Sequence, residues 1–134
     1  MKDEICNALE KDLGRSPFLS EICELGVTTG SCNWDLAHLD EMTEPICEET
    51  ELILAPAKTY IRYEPLGVCA IFGAWNYPWT VSMKPLIQCI TTGNCALVKP
   101  SEIAPATSSI IKKFVEKYLD NDAYQVVEGG IDVA

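Results

Sequence analysis

The residues best suited to chemistry sit in two short loops. The first is GAWNYPW (Gly73–Trp79), where one polar amide, Asn76, stands between Trp75 and Tyr77 after an apolar run. A primary amide carries two N–H donors, and burying them without partners costs about 1–3 kcal/mol. Two uses are open. The amide can donate to a developing oxyanion in an apolar wall, or it can cap the following helix or close an Asx-turn. The second loop is KPSE (Lys99–Glu102). Its carboxylate can accept hydrogen bonds from sugar hydroxyls, and its ammonium can donate to the same sugar or meet a phosphate. The alternative is a plain turn, with Pro100 fixing φ and Ser101 capping the next helix.

Both loops need elements that aim them. From Pro65 the pattern is strand, loop, helix, strand, loop, helix, strand. Strands are expected at Gly67–Gly73, Cys95–Val98 and Tyr124–Val127. The first helix ends at Thr92, with Gly93 suited to left-handed dihedrals. Pro85 starts that helix's regular part or kinks it. Pro105 opens the second helix, with Ile110, Ile111, Phe114 and Tyr118 on one face and Lys112, Lys113, Glu116 and Lys117 on the solvated one. This alternation is a βαβαβ unit, half of a doubly wound α/β sheet, and the continuous apolar strands suit parallel strands covered on both faces. Ligands of such sheets bind outside the carboxyl ends of the strands, where GAWNYPW and KPSE fall. The G-x-G-x-x-G turn that cradles a pyrophosphate is absent, since the first loop has one glycine.

Upstream, residues 1–50 are acidic with apolar residues three or four apart: Ile5, Leu9, Leu13, then Phe18, Ile22, Leu25. That spacing predicts helices, broken at LGRSP by Gly14 and Pro17. A further helix is expected from Trp34 to about Cys47, because GVTTGSCN (Gly26–Asn33) is rich in breakers. Residues 51–64 change period. Leu52 and Leu54, then Tyr60 and Arg62, predict a β-hairpin turning at Ala55–Lys58, with Pro56 favouring an edge. The division is thus 1–50 helical, 51–64 hairpin, and 65–134 the half-sheet.

Composition narrows the partners. The formal charge is −10, which disfavours nucleic acid and anionic membrane surfaces as partners. The polar start MKDEICNALEKDL is no secretory signal, and no apolar run reaches membrane-spanning length. Seven cysteines occur without C-x-x-C spacing, and the one histidine, His38, has no ligand pattern around it. No metal site is expected. Cys69, Cys89 and Cys95 read as small core hydrophobes in a reduced, cytoplasmic setting.

The stretch EPLGVCAIFGAWNYPWTVSMKPLIQCITTGNCALVKPSE (Glu64–Glu102) resembles the aldehyde dehydrogenase family. WNYP, EPLGV and YLDNDAYQVVEGG resemble its class 3 branch, and ALEKDLGRSPFLSE resembles that branch's first helices more loosely. The resemblance implies the amino-terminal quarter to third of an NAD- or NADP-dependent enzyme that converts aldehydes to carboxylic acids, with an incomplete Rossmann-like cofactor domain. It implies that Asn76 is the oxyanion donor and that Lys99, Ser101 and Glu102 hold the adenosine ribose. Ala74 and Trp75 would line the cofactor groove and Tyr77 the substrate funnel. The hairpin resembles strands that help members form homodimers.

The family's Gly-Ser-Thr turn, its general-base Glu and its nucleophilic Cys have no counterpart before Ala134. Glu128 in VEGG and Cys89 in IQCI look like the last two but occupy strand-end and core positions, so neither is assigned a role. These 134 residues alone are expected to aggregate or be unstable and to oxidise no aldehyde. Two alternatives are a non-catalytic interaction module and the cofactor half of a related acyl-phosphate reductase. Class 3 members often carry a carboxyl-terminal membrane anchor, which leaves membrane attachment of a longer chain open.

Overall fold

A computed structural model describes residues Met1–Ala134. Helix α1 (Lys2–Leu13) buries Ile5, Cys6, Ala8 and Leu9, and stops where Gly14 takes φ 64° and its N–H bonds the Glu10 carbonyl. A glycine supplies this left-handed stop at least cost. Helix α2 (Pro17–Ser20) starts on Pro17, with the Ser16 hydroxyl accepting from the Leu19 N–H. A π-helical stretch, Glu21–Gly26, runs without a break into α3 (Val27–Thr43).

That helix corrects two expectations. GVTTGSCN is helical throughout, and the helix ends at Thr43, short of Cys47. Residue Glu44 is extended (ψ 131°), as the residue before Pro45 tends to be. The breakers upstream are overridden by tertiary anchoring. The Thr28 hydroxyl donates back to the Glu24 carbonyl (3.0 Å) and accepts from Trp79 Nε1 (3.1 Å).

The hairpin is also shifted. Strand β1 (Ile46–Glu48) pairs antiparallel with β2 (Thr59–Ile61), with Ile46 opposite Ile61 and Glu48 opposite Thr59. Leu52–Leu54, expected to be a strand, is a 3₁₀ turn. Period-two alternation specifies a strand when one face is buried, and here Leu52 is 91% and Ile53 86% exposed. Local bonds win instead: the Leu54 N–H reaches Glu51 O (2.9 Å) and the Ala57 N–H reaches Leu54 O (2.9 Å).

The remainder is the anticipated βαβαβ unit. Strands β3 (Val68–Phe72), β4 (Cys95–Lys99) and β5 (Tyr124–Val126) form a parallel sheet in that order. They are joined by α4 (Thr80–Thr91) and α5 (Pro105–Tyr118). Phe72 lies opposite Lys99, and Val98 opposite Val126. Pro85 lies inside α4, Gly93 takes φ 73°, and Pro105 opens α5.

Successive strands stepping in one direction put both crossover helices on one face of the sheet. Ile71, Ala96 and Val98 are accordingly buried with Trp79, Met83 and Leu86 of the α4 side, Ile110, Ile111 and Val115 of α5, and Ile5 and Leu9 of α1. Val68, Phe72 and Leu97 remain exposed, so the expected cover on both faces is present on one only.

Helix α1 packs on α5 and α3 on α4. The first contact carries a cap that local sequence hides. The Asp12 carboxylate accepts from the N–H groups of Ala106 (3.1 Å) and Thr107 (2.7 Å) and from the Thr107 hydroxyl (2.8 Å). A carboxylate is favourable at this helix start. Ser101, the alternative cap, is not used in this way: its hydroxyl accepts from the Ile103 N–H (3.3 Å) within the KPSE turn.

Candidate functional site

GAWNYPW leaves the carboxyl end of β3, and KPSE leaves that of β4. The parallel register sets them side by side, and the Gly73 N–H donates to the Lys99 carbonyl (2.9 Å). A Cβ on Gly73 would lie 2.2 Å from Ser82 Oγ and 3.4 Å from Pro100 Cα. Position 73 must therefore lack a side chain for strand, helix and second loop to meet. Ser82 is fully buried, and its hydroxyl donates to the Pro78 carbonyl (2.8 Å). This ties the first turn of α4 back onto the loop.

Asn76 is exposed on this loop. Its side chain makes no hydrogen bond within the chain, while its backbone carbonyl accepts from Arg15 Nη2 (3.0 Å). The capping and Asx-turn reading is thereby excluded, because α4 is capped from elsewhere. Glu24, wholly buried, accepts the Thr80 N–H on Oε2 (2.8 Å) and meets Arg15 Nη1 on Oε1 (2.6 Å). The Arg15 guanidinium lies 4.6 Å from the centre of the Tyr77 ring, within cation–π range. Asn76 thus keeps a free amide on a backbone fixed by other residues.

On the neighbouring loop, the Lys99 ammonium is 12% exposed and donates to the 44%-exposed Glu102 carboxylate (3.1 Å). Hydrogen bonding from its own backbone amide, and then from Lys99, holds the Glu102 carboxyl below its ordinary value. Its charged, acceptor-only form is thereby favoured. Ser101 is buried beneath the pair. Ala74, Trp75 and Tyr77 stand exposed beside Asn76. No hydrogen bond joins Asn76 to Lys99 or Glu102. The fold brings the two loops to one edge and leaves the side chains separate.

The two look-alike positions have structural partners. Glu128 accepts from the Ser109 hydroxyl (2.9 Å) and faces Lys112 (3.8 Å). Cys89 packs half-buried against the core, and desolvation followed by the neighbouring Cys69 pushes its thiol up to about 11. Asn94, in the GN step, works at the other end of the sheet. Its side chain accepts the Gly67 N–H (2.8 Å) and donates to Thr92 (2.7 Å).

A parallel half-sheet whose strand ends present a free amide on one loop and a Lys–carboxylate pair on the next defines half of a doubly wound α/β domain. The Aldehyde dehydrogenase family model matches residues 1–134, and the chain belongs to that family. Members of the class 3 branch are among its relatives. Aldehyde dehydrogenase family 3 member H1 of Arabidopsis thaliana is 41% identical over 96% of this chain and 26% of its own length. The mouse family 3 member A2 is 38% identical over 96% of this chain and likewise 26% of its own length. The substrate-bound Staphylococcus aureus AldH structure superposes with TM-score 0.93 at 35% identity, over 98% of this chain and 29% of that one. The chain therefore spans about a quarter of the length of the curated relatives it matches. A succinic semialdehyde dehydrogenase from Streptococcus pyogenes, solved with NADP+, shares the fold with TM-score 0.83 at 18% identity. No helix is long and apolar enough to cross a membrane.

Proposed function

We propose that these residues form the amino-terminal part of an NAD(P)-dependent aldehyde dehydrogenase that converts aldehydes to carboxylic acids. Within it, Asn76 donates its side-chain amide to the substrate oxygen. When a nucleophile adds to an aldehyde carbonyl, negative charge gathers on that oxygen, and a fixed donor lowers the barrier by about 2.7–4 kcal/mol. The observation that carries this reading is the Asn76 amide itself: unpartnered in the chain, at the carboxyl end of β3, on a backbone held by Arg15.

Lys99 and Glu102 fit a nucleotide sugar, with a carboxylate to accept hydroxyl hydrogens and an ammonium with donor capacity beyond Glu102. When bound, NAD(P) supplies the hydride acceptor. The chain's own groups hold its adenosine ribose, with Ser101 beneath and Ala74 and Trp75 along the groove. Tyr77 borders the substrate funnel. The nucleophilic cysteine and the base belong to the remainder of the enzyme, so the 134 residues alone oxidise no aldehyde. The exposed arm, Ile46–Tyr63, serves homodimer formation, which suits its uncovered Leu52, Ile53 and Tyr63.

The test is Asn76→Ala in the full-length enzyme. Turnover falls by about 10²–10³-fold while the KM for NAD(P) is unchanged. A wild-type rate refutes the assignment.

A further inference from the structure

An amide stabilises a developing charge only if it is in place before the charge appears. Asn76 has no side-chain partner to hold it, so its position must come from the backbone, and that backbone is gripped by the amino-terminal helices. We propose that Arg15 and Glu24 are positioning residues for Asn76, forming a clamp that presets the oxyanion donor. This rests on the oxyanion reading above.

The clamp is a chain of contacts that runs from the Asn76 carbonyl to the first residue of α4. Arg15 sits just past the α1 stop, and Glu24 sits in the π-helical stretch, a feature common where a helix is bent to a task. One Arg15 nitrogen meets Glu24 (2.6 Å) and the other the Asn76 carbonyl (3.0 Å), while the guanidinium covers Tyr77. The second Glu24 oxygen takes the Thr80 N–H (2.8 Å). Trp79 is fixed to Thr28 one turn further along.

Residues 76, 77, 79 and 80 are therefore each tied to the segment Arg15–Thr28, which packs outside the sheet. A lysine in place of Arg15 retains the charge against Glu24 but loses the planar fork that serves Glu24 and Asn76 at once. An ordinary stabilising ion pair at this place would affect Asn76 and any other site alike. A clamp exerts most of its effect on turnover through Asn76, and that difference is measurable.

The experiment measures kcat and KM in the full-length enzyme for Arg15→Ala, Arg15→Lys, Asn76→Ala and the Arg15→Ala/Asn76→Ala double variant. Lys2→Ala serves as a control: Lys2 pairs with Glu21 on the same helices without touching the loop. Arg15→Ala is expected to lower kcat by about 10–10²-fold with the KM for NAD(P) unchanged. Arg15→Lys should fall in between, and Lys2→Ala should match wild type. Once Asn76 is alanine, the further loss from Arg15→Ala should shrink to less than about 3-fold. The same fold loss in both backgrounds, or an unchanged kcat in Arg15→Ala, overturns the clamp. If Arg15→Ala does not fold, Arg15→Lys carries the same cycle with Asn76→Ala.

Should the wild-type enzyme oxidise no aldehyde, the functional reading falls, and amide exchange then judges the clamp separately. Arg15→Lys accelerates exchange at Thr80 by about 10-fold or more if the clamp holds the loop. Unchanged exchange overturns it.

Discussion

The wedge formed by α1, α4 and α5 on one face of the sheet and the exposed arm, Ile46–Tyr63, use the same kinds of residue to opposite effect. In the wedge, Leu9, Leu86, Val98, Ile111 and Val115 are fully enclosed between the helices and the covered face of the sheet. In the arm, β1 and β2 are exposed at each position, and Leu52 and Ile53 project into solvent. Apolar side chains shape a segment when something covers them. Without cover, local hydrogen bonds decide, and Leu52–Leu54 coils.

The contrast is sharpest at Trp79, whose ring meets Phe114 edge-on and whose N–H is bonded to Thr28. Trp79→Ala is expected to cost about 3–5 kcal/mol in urea unfolding followed by circular dichroism. In the monomeric protein, where nothing covers the arm, Ile53→Ala should cost less than about 0.5 kcal/mol. Equal losses would break the distinction between covered and uncovered apolar residues.

A second measurement separates packing from polar stitching inside the wedge. Asp12→Ala removes the cap on α5 and is expected to cost about 1–2 kcal/mol by the same assay. A change near zero would mean that the cap adds nothing to what the other α1 contacts already supply.

The smallest effect concerns thiols. Cys47 lies exposed on the arm, and Cys89 is half-buried in the wedge. At about pH 8, iodoacetamide labelling followed by mass spectrometry should find Cys47 modified before Cys89, since the thiolate is the reactive form. The folded Cys89 thiol keeps its proton to about 11, against an ordinary value of 9.0. Between those values the folded state binds more protons, so this group's contribution to stability falls as pH rises through that window. Early labelling of Cys89 would contradict its core placement.

What could be read from sequence was punctuation and period. Gly14, Pro17, Gly93 and Pro105 mark their element ends because each acts through its own backbone dihedrals. The βαβαβ unit was legible because short continuous apolar runs alternate with longer segments of helical period. Arg15, Glu24 and Asp12 were not legible as structural parts, since a capping carboxylate and a solvated one look alike until the partner is known. For Asp12 that partner, Thr107, lies 95 residues away. Asn76 was noticed for its setting between aromatics, but the choice between cap and free donor required knowing that Glu24 already occupies the helix start. Leu52 and Leu54 misled because alternation was read where no surface existed to give it meaning.

The Asp12 cap also has a consequence for how the chain is made. Synthesis runs from the amino to the carboxyl end, so α1 leaves the ribosome before Thr107 exists. Until then the helix has neither the α5 surface that covers Ile5 and Leu9 nor the amide groups its carboxylate will bind. Contacts this distant in sequence form late because loop closure precedes their reward. Helix α1 is thus seated only after α5 has been made, and until then the nascent chain carries an exposed apolar stripe.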